Sequence, residues 1–206
     1  MKTFDFYSIG HSNIPAERFM ALLHAQNVTA IADVRTTPLS RFCPWFSAKN
    51  LKPLLEQNGV AYRSYGESLG GRPQSPELYR DGVADYEAMA GRPDFQNGLD
   101  RLIADATRAR GDGVVCLMCA EREPLDCHRC LLVARTLAAR DFGIGHILHD
   151  GMVEPHARTE HRLLKLAGDA SDLFAPGQNA RIAAAYRQRA RAVAYRAQSA
   201  TAGRRR

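Results

Sequence analysis

Short β-rich runs that alternate with stretches of helical periodicity constrain the fold of this chain more than any other feature. The β-rich runs are 3–9, 28–34, 60–64, 114–118 and 144–148. Helical patterns cover 15–26, 48–58, 85–89, 95–110, 127–140, 160–166 and 178–197. Strands separated by helices favour right-handed crossovers and a sheet covered on both faces. We therefore predict a doubly wound α/β fold with a mostly parallel sheet of about five strands, helices on both faces and additional C-terminal helices. The strand order stays open.

The pattern divides the chain into an α/β domain over 1–150 and a C-terminal helical extension over 151–206. We expect this extension, which ends in an arginine-rich tail, to pack on the same domain. A chain of 206 residues, 45% of them hydrophobic, buries a sizeable core without disulfides. The stretch 66–93 is rich in glycine, proline and charge. It is predicted to be a long loop with one short helix, a kind of segment that often carries function.

The net charge of +6 belongs to the C-terminal extension. Eight arginines and no acidic residue lie between 181 and 206, and the rest of the chain holds 20 basic and 22 acidic residues. These arginines predict either nucleic-acid binding through phosphate contacts or a solvated helix face. The pI of 9.3 is therefore weak evidence for a partner.

Cysteine usage and hydropathy bear on the compartment. The five cysteines are an odd number, and four of them lie between Cys116 and Cys130, which is unlike a disulfide framework. No apolar run is long enough for a transmembrane helix, and the N-terminus has no signal-peptide pattern. We expect a cytoplasmic protein without a membrane partner. No cofactor and no metal is assigned, and the oligomeric state stays open.

Polar or reactive side chains follow each predicted strand. Ligands of parallel sheets bind outside the carboxyl ends of the strands, so these side chains predict one cleft. The candidates for catalysis are His11, Asp33, Cys119, Glu121, Cys127 and His128. The candidates for ligand binding are Ser12, Arg35, Ser40, Arg41, Gly70, Gly71 and Arg129.

Cys127 is the candidate with the most specific chemistry. It is predicted to open the helix 127–140, with Asp126 as the N-cap. Backbone N–H groups at a helix start, together with Arg129, stabilise a thiolate or bind a phosphate group. The alternative is that Cys127 and His128 only pack the loop against the sheet. The distance in sequence from Cys119 to an arginine does not fit the Cys-x₅-Arg loop of cysteine phosphatases.

The cysteines also spell CxxC-x₇-CxxC, a pattern that resembles a four-thiolate zinc site. Cys116 lies inside an apolar strand, and residues three apart on a strand point to opposite faces. We therefore expect Cys116 and Cys130 to be small buried residues rather than zinc ligands. A different metal site, with Cys119 or Cys127 and His11 or His128, stays open.

Several ordered motifs resemble those of the DUF488 family of uncharacterised proteins. They are Ser8–Asn13, Asp33–Arg35, Pro38–Arg41, Pro44–Phe46, Leu69–Gly71, Leu117–Glu121 and Cys127–Arg129. The motifs 146–147, 172–174, 185–186 and 194–195 resemble the C-terminal part of the longer members. The resemblance implies a compact α/β domain with a shared polar site, and it implies no reaction.

The first hypothesis is a protein that acts on an anionic, phosphate-bearing ligand, such as a nucleotide or nucleic acid. Arg35, Arg41 and Arg129 would bind the anion, and Asp33 and Glu121 would orient partners. His11 or His128 would move protons, and Cys119 or Cys127 would be the nucleophile or a metal ligand. One alternative is a non-catalytic nucleic-acid-binding protein that uses the arginine-rich helix. Another is a metal-dependent enzyme with Cys and His ligands.

Overall fold

A six-stranded sheet forms the centre of the protein in the computed structural model, which describes residues 4–109, 113–168 and 177–197. Six strands form this sheet and β4 and β5 form a separate hairpin; in chain order they are β1 (Phe6–Gly10), β2 (Val28–Asp33), β3 (Ala61–Ser64), β4 (Tyr79–Arg80), β5 (Val83–Ala84), β6 (Val114–Cys119), β7 (Ile144–Ile147) and β8 (Val153–Pro155). The order in the main sheet is β3-β2-β6-β1-β7-β8. All neighbours are parallel except β7 and β8. This confirms the predicted mostly parallel α/β fold.

Helices cover both faces of the sheet. They are α1 (Ala16–His24), α2 (Ala48–Gln57), α3 (Gly66–Leu69), α4 (Tyr86–Ala90), α5 (Pro93–Ala109), α6 (Arg135–Ala138), α7 (His156–Leu166) and α8 (Gln178–Val193). A π-helical segment, Arg129–Ala134, runs directly into α6. Within the described ranges, no helix combines the length and apolarity needed to cross a bilayer.

Each face of the sheet has its own apolar core. Side chains alternate between the faces, so Cys116 of β6 packs with the residues of α1 and α2, whereas Cys119 packs with those of α5, α6 and α8. This confirms the prediction that these two cysteines point to opposite faces. The C-terminal helix α8 lies on the second core, where Tyr186 is only 2% exposed.

Three parts of the sequence-based prediction differ from the structure. The stretch 66–93 is not mainly loop, because it contains α3, α4 and the antiparallel hairpin of β4 and β5. The helix predicted over 178–197 ends at Val193, and the chain then pairs with the hairpin through a bridge between Val83 and Arg196. The edge strand β8 was not predicted. The motif at 172–174 and the end of the arginine-rich tail lie outside the described residues.

Candidate functional site

A cavity of about 260 Å³ opens where the carboxyl ends of β2 and β6 meet. The loops after these two strands form most of its wall, and α4 and the end of the C-terminal segment close the opposite side. Six of the residues predicted for the site line it: Arg35, Gly71, Cys119, Glu121, Cys127 and His128. The predicted cleft therefore contains the thiols, the carboxylate and the imidazole together.

Two thiols, one carboxylate and one imidazole form a cluster on the cavity wall. The Sγ atoms of Cys119 and Cys127 lie 2.9 and 3.0 Å from Oε2 of Glu121. Nδ1 of His128 is 3.7 Å from the first sulfur and 3.9 Å from the second. Nε2 of His128 donates to the carbonyl oxygen of Val34 over 2.9 Å. Since a carbonyl only accepts, this bond places the proton on Nε2 and leaves Nδ1 facing the sulfurs.

The helix after the cluster begins differently from the prediction. Asp126 is not its N-cap, because this residue ends the short 3₁₀ helix Pro124–Asp126. Cys127 has an extended backbone, with φ −137° and ψ 139°, directly before the helical turn. Its carbonyl accepts the N–H of Leu131, and its Sγ accepts the N–H of Arg129 at 3.5 Å. The side chain that accepts at the helix start is thus Cys127 itself.

The surroundings of the two thiols shift their pKa values in opposite directions. Burial raises the pKa of Cys119, and the negative charges of Cys127 and Glu121 raise it further. Burial also opposes ionisation of Cys127. The hydrogen bond from Cys119, the charge of Arg129 and the contact with His128 outweigh burial and hold the pKa of Cys127 well below its usual range. The surroundings therefore favour ionisation of Cys127 over ionisation of Cys119.

Arg129 is a buried cation behind the cluster. It is 1% exposed, and its guanidinium donates to the carbonyl oxygens of Glu121 (2.6 Å) and Arg122 (3.0 Å). Its Nε has no hydrogen-bond partner among the described residues. The guanidinium does not line the cavity. The role in ligand binding expected for Arg129 stays a prediction, whereas its charge acts on Cys127 in the structure.

Asp33 and His11 hold Arg35 in place at the cavity. The carboxylate of Asp33 accepts from Nε and Nη2 of Arg35 at 2.9 and 2.6 Å. Nη1 of Arg35 donates to the carbonyl of Phe46 and to Nε2 of His11. Burial lowers the pKa of His11 to about 4, so its imidazole is neutral and accepts this bond. The network fixes one guanidinium at the cavity wall, and neither Asp33 nor His11 lines the cavity itself.

The other predicted residues divide into glycines that permit close packing and polar residues away from the cavity. A Cβ on Gly71 would lie 2.6 Å from Cγ of His128, and one on Gly70 would lie 2.3 Å from Oγ1 of Thr36. These two glycines therefore let the loop approach the cluster. Ser12, Ser40 and Arg41 do not line the cavity. The hydroxyls of Ser12 and Ser40 make local hydrogen bonds, and Arg41 is exposed.

Several residues of the cavity wall were not among the predicted site residues. They are Thr36, Thr37, Arg72, Tyr86, Asp126 and Tyr195. The guanidinium of Arg72 lies 4.9 Å from the ring centre of Tyr195, and the N–H of Arg72 bonds to Thr36. Burial, together with the negative charges of the cluster, raises the pKa of Tyr86. Arg72 directly follows Gly70 and Gly71, which were predicted to bind the ligand, so its place in the sequence could have identified Arg72 as a site residue.

Among the residues that the structure describes, two groups of side chains could hold a metal ion. Cys119, Cys127 and His128 bring donor atoms within 4.8 Å of one another, and Cys130, His146 and His156 do the same in a separate group. Cys116 belongs to neither group, so the CxxC-x₇-CxxC pattern does not converge on one site. His11 is likewise outside the first group, since its ring nitrogens bond to Ser12 and Arg35.

Fold and site define an α/β protein with a thiol-lined cleft at the carboxyl edge of a parallel sheet. Residues 15–136 match the family described as domain of unknown function DUF488, and the chain belongs to this family. The matched range contains β2, β6 and the whole thiol cluster. No curated protein and no solved structure matches the chain significantly.

Proposed function

We propose that the cavity binds an anionic, phosphate-bearing ligand such as a nucleotide, and that Cys127 is the nucleophile that acts on it. Sγ of Cys127 attacks an electrophilic atom of the ligand and forms a covalent bond to it. The bond from that atom to the leaving group breaks, and the leaving group takes the proton of the Cys119 thiol. Because free thiols are required, we assign this chemistry to a reducing compartment, the cytoplasm.

The position of the Cys127 sulfur is the observation that carries the proposal. It lies on the cavity wall at the start of a helix, accepts a backbone N–H from Arg129 and has a buried guanidinium behind it. The backbone N–H and the guanidinium charge each stabilise a thiolate. The carboxyl group of Glu121 lies within 3.0 Å of both sulfurs and orients them, and burial together with the charge of Cys127 raises the pKa of this group, which favours its protonated form beside the sulfur.

The charges around the cavity favour an anionic ligand. Arg35 and Arg72 line the same cavity as the thiols, and Asp33 and His11 hold the guanidinium of Arg35 in place. Arg72 is exposed and stacks on Tyr195, so its guanidinium is free to pair with a phosphate at the cavity mouth. The hydroxyls of Thr36 and Thr37 add hydrogen-bond donors on the same side.

Protection of Cys127 from alkylation tests the proposal. The full chain is treated with iodoacetamide at pH 7, and each modified cysteine is quantified by mass spectrometry with and without pyrophosphate, a nucleoside monophosphate or a short oligonucleotide. Cys127 should react faster than Cys119 and should be protected by at least one of these probes. The pattern of protection distinguishes a small ligand from a nucleic acid.

Two arginine variants provide the matched comparison. Arg72→Ala should abolish the protection of Cys127, whereas Arg41→Ala should leave it unchanged, because Arg41 lies outside the cavity wall. Both side chains are exposed, so neither change removes core packing. The proposal is wrong if no probe protects Cys127, or if Arg72→Ala retains full protection.

A metal-dependent enzyme is the second candidate, and the convergence of Cys119, Cys127 and His128 favours it. Two thiolates and one imidazole with an open side are a known ligand set of catalytic zinc. The bond from His128 to Val34 is of the kind that orients a metal-ligating imidazole. Elemental analysis of the purified protein, followed by X-ray absorption, decides between the candidates. One bound metal with two sulfur ligands would replace the nucleophile proposal.

A further inference from the structure

A second group of metal-ligating side chains is sealed inside the protein, away from the cavity. Cys130 comes from the π-helical segment, His146 from β7 and His156 from the start of α7. Their exposures are 0%, 0% and 5%. Nε2 of His146 lies 3.0 Å from Nδ1 of His156 and 3.9 Å from Sγ of Cys130. Three donor atoms from three different elements therefore converge on one point.

The outer nitrogen of each imidazole is held by a partner outside the group. Nδ1 of His146 is 2.7 Å from the hydroxyl of Ser8, and Nε2 of His156 is 3.0 Å from the hydroxyl of Tyr186. Tyr186 donates its own proton to Glu160 over 2.9 Å, so its oxygen accepts the Nε2 proton of His156. The lone pair of His156 Nδ1 is thereby turned towards His146. Hydrogen bonds of this kind fix the tautomer of metal-ligating histidines.

We propose that Cys130, His146 and His156 bind one thiophilic closed-shell cation, Cu⁺ or Zn²⁺. Thiolate and imidazole are the ligands that both ions prefer. Around a zinc ion with bonds of about 2.0–2.3 Å, neighbouring donor atoms are separated by about 3.3–3.7 Å. The observed separations of 3.0 and 3.9 Å differ from this range by a few tenths of an ångström, and the third pair, Nδ1 of His156 and Sγ of Cys130, lies within 4.8 Å.

The proton balance of binding follows from the hydrogen bonds. Without a cation, Nε2 of His146 carries a proton and donates it to Nδ1 of His156, and the hydroxyl of Ser8 donates to Nδ1 of His146. The cation takes the place of this proton, which moves to Nδ1 of His146. Nδ1 of His146 then donates to the hydroxyl oxygen of Ser8. Cys130 releases its thiol proton to solvent as the metal–sulfur bond forms. One proton therefore leaves the protein for each cation bound.

Charge balance favours Cu⁺ over Zn²⁺. A thiolate and two neutral imidazoles give a neutral complex with Cu⁺ and a complex of charge +1 with Zn²⁺. Arg129, the residue before Cys130, is a fully buried cation, and a second buried positive charge beside it is costly. Three ligands without solvent also suit Cu⁺, whereas zinc sites are almost always four-coordinate.

The π-helical segment supports a special role for this group. Arg129–Ala134 has the wider π turn, a rare conformation that occurs frequently at functional sites. The segment begins between Cys127, which lies at the cavity, and Cys130, which belongs to the buried group. The inference is independent of the function proposed for the cavity.

Metal titration of the full chain tests the inference. The reduced, metal-free protein is titrated with Cu⁺ and separately with Zn²⁺ against a chromophoric competitor, and X-ray absorption of the loaded protein counts the ligands. We expect one equivalent bound by one sulfur and two nitrogens. A site in the cavity would instead show two sulfurs, so the two groups are distinguished by their ligand count.

Variants assign the bound ion to residues. Cys130→Ser and His156→Gln should each abolish the one-sulfur signature, whereas Cys116→Ser, which changes an equally buried thiol on the other sheet face, should retain it. Circular dichroism verifies that each variant is folded. The inference is overturned if the unmodified chain shows no one-sulfur coordination with either ion. It is also overturned if folded Cys130→Ser retains that coordination.

Discussion

At the scale of single residues, Gly71 shows how an absent side chain positions a reactive group. The bond from Nε2 to Val34 holds the ring of His128, and a Cβ on Gly71 would lie 2.6 and 2.8 Å from Cγ and Nδ1 of this ring. These separations are shorter than van der Waals contact. The loop can therefore close on the thiol cluster only because residue 71 is glycine.

Gly71→Ala should displace His128 and destabilise the protein by about 1–3 kcal/mol, the usual cost of overpacking a tight site. The alkylation of Cys127 at pH 7 should slow, because the contact with His128 helps to lower the pKa of this thiol. Chemical denaturation and alkylation rates measure the two effects. Gly91→Ala is the control, since a Cβ there meets no atom closer than 3.6 Å. Equal effects of both variants would contradict this role of Gly71.

Asp105 carries a pH-dependent part of the stability. Burial opposes its ionisation, but hydrogen bonds from Arg63, Tyr65 and Arg108 prevail and lower the pKa of Asp105 from 3.8 to about 2. A carboxyl group with a lowered pKa stabilises the folded state above its unfolded pKa. That contribution is lost as the pH falls from about 4 through about 2.

Asp105→Asn should therefore reduce the free energy of unfolding at pH 7 by about 2 kcal/mol. It should also flatten the decline in stability between about pH 4 and pH 2. Urea denaturation at several pH values measures both. Asp100→Asn is the control, because Asp100 pairs with Arg140 at the surface, where an ion pair contributes less than about 1 kcal/mol. An unchanged acid profile in Asp105→Asn would refute the assignment.

At the scale of elements, the long parallel strands were predictable and the short ones were not. Four of the five parallel strands are mainly apolar runs, β3 (Ala61–Ser64) is the more polar exception, and each of the five was predicted within three residues of its bounds. β8 has only three residues and ends in Pro155, so it has no periodicity to detect. The β4–β5 hairpin does have a signal. Asp81 and Gly82 have φ of 53° and 73°, as a type I′ turn requires, and Asp-Gly is typical of such turns.

The candidate site was predictable where it depends on strand ends and not where it depends on long-range packing. Cys119 is the last residue of β6, and Glu121, Cys127 and His128 follow this strand, so the parallel sheet brings them to one edge. Tyr195 reaches the cavity only because the segment after α8 pairs with β5, and no local pattern shows this. The prediction that Asp126 caps the helix was wrong because its carboxylate pairs with a residue distant in sequence, Arg189 of α8.

The carboxylate of Asp126 forms an ion pair with Arg189 of α8. Its Nη2 bonds to that carboxylate, and its Nε donates to the carbonyl of Leu125 at 3.1 Å. Both contacts hold the 3₁₀ helix Pro124–Asp126 directly before Cys127. A helix of the C-terminal extension therefore helps to fix the loop that carries the proposed nucleophile.

Arg189→Ala should destabilise the protein by about 1 kcal/mol, the contribution of a partly buried hydrogen-bonded charge. It should also speed hydrogen exchange of the Asp126 and Cys127 amides, which bond within that turn. Arg191→Ala removes an identical side chain from an exposed position of the same helix and serves as the control. Exchange that is equally fast in both variants would show that α8 does not hold this turn.

At the scale of the whole molecule, the excess of arginine in the C-terminal extension is partly neutralised by the domain. Arg187 pairs with Glu87 of α4, and Arg189 pairs with Asp126. Ala185 and Tyr186 of the same helix are buried, at 3% and 2% exposure. The helix is therefore a packed part of the fold, and fewer of its arginines are free for phosphate contacts than the charge of +6 suggests.

Two truncations separate the packed helix from the residues beyond it. A chain ending at Ala197 should unfold at the temperature of the full chain and retain the reactivity of Cys127, because it keeps α8 and the pairing with β5. A chain ending at Gly177 should lose at least about 3–5 kcal/mol, the cost of deleting one buried aromatic side chain, since Tyr186 leaves the core. Calorimetry measures both.

The same truncation at Ala197 tests nucleic-acid binding by the arginine-rich segment. The change removes Arg204, Arg205 and Arg206 without touching the packed helix. If the segment binds nucleic acid through phosphate contacts, each lost arginine reduces the slope of log affinity against log salt by about 0.7–0.9. Because Arg187 and Arg189 of α8 pair with the domain, we expect weak binding by the full chain and weaker binding by the truncated one. Affinity that is strong and unchanged by the truncation would assign nucleic-acid binding to the folded domain instead.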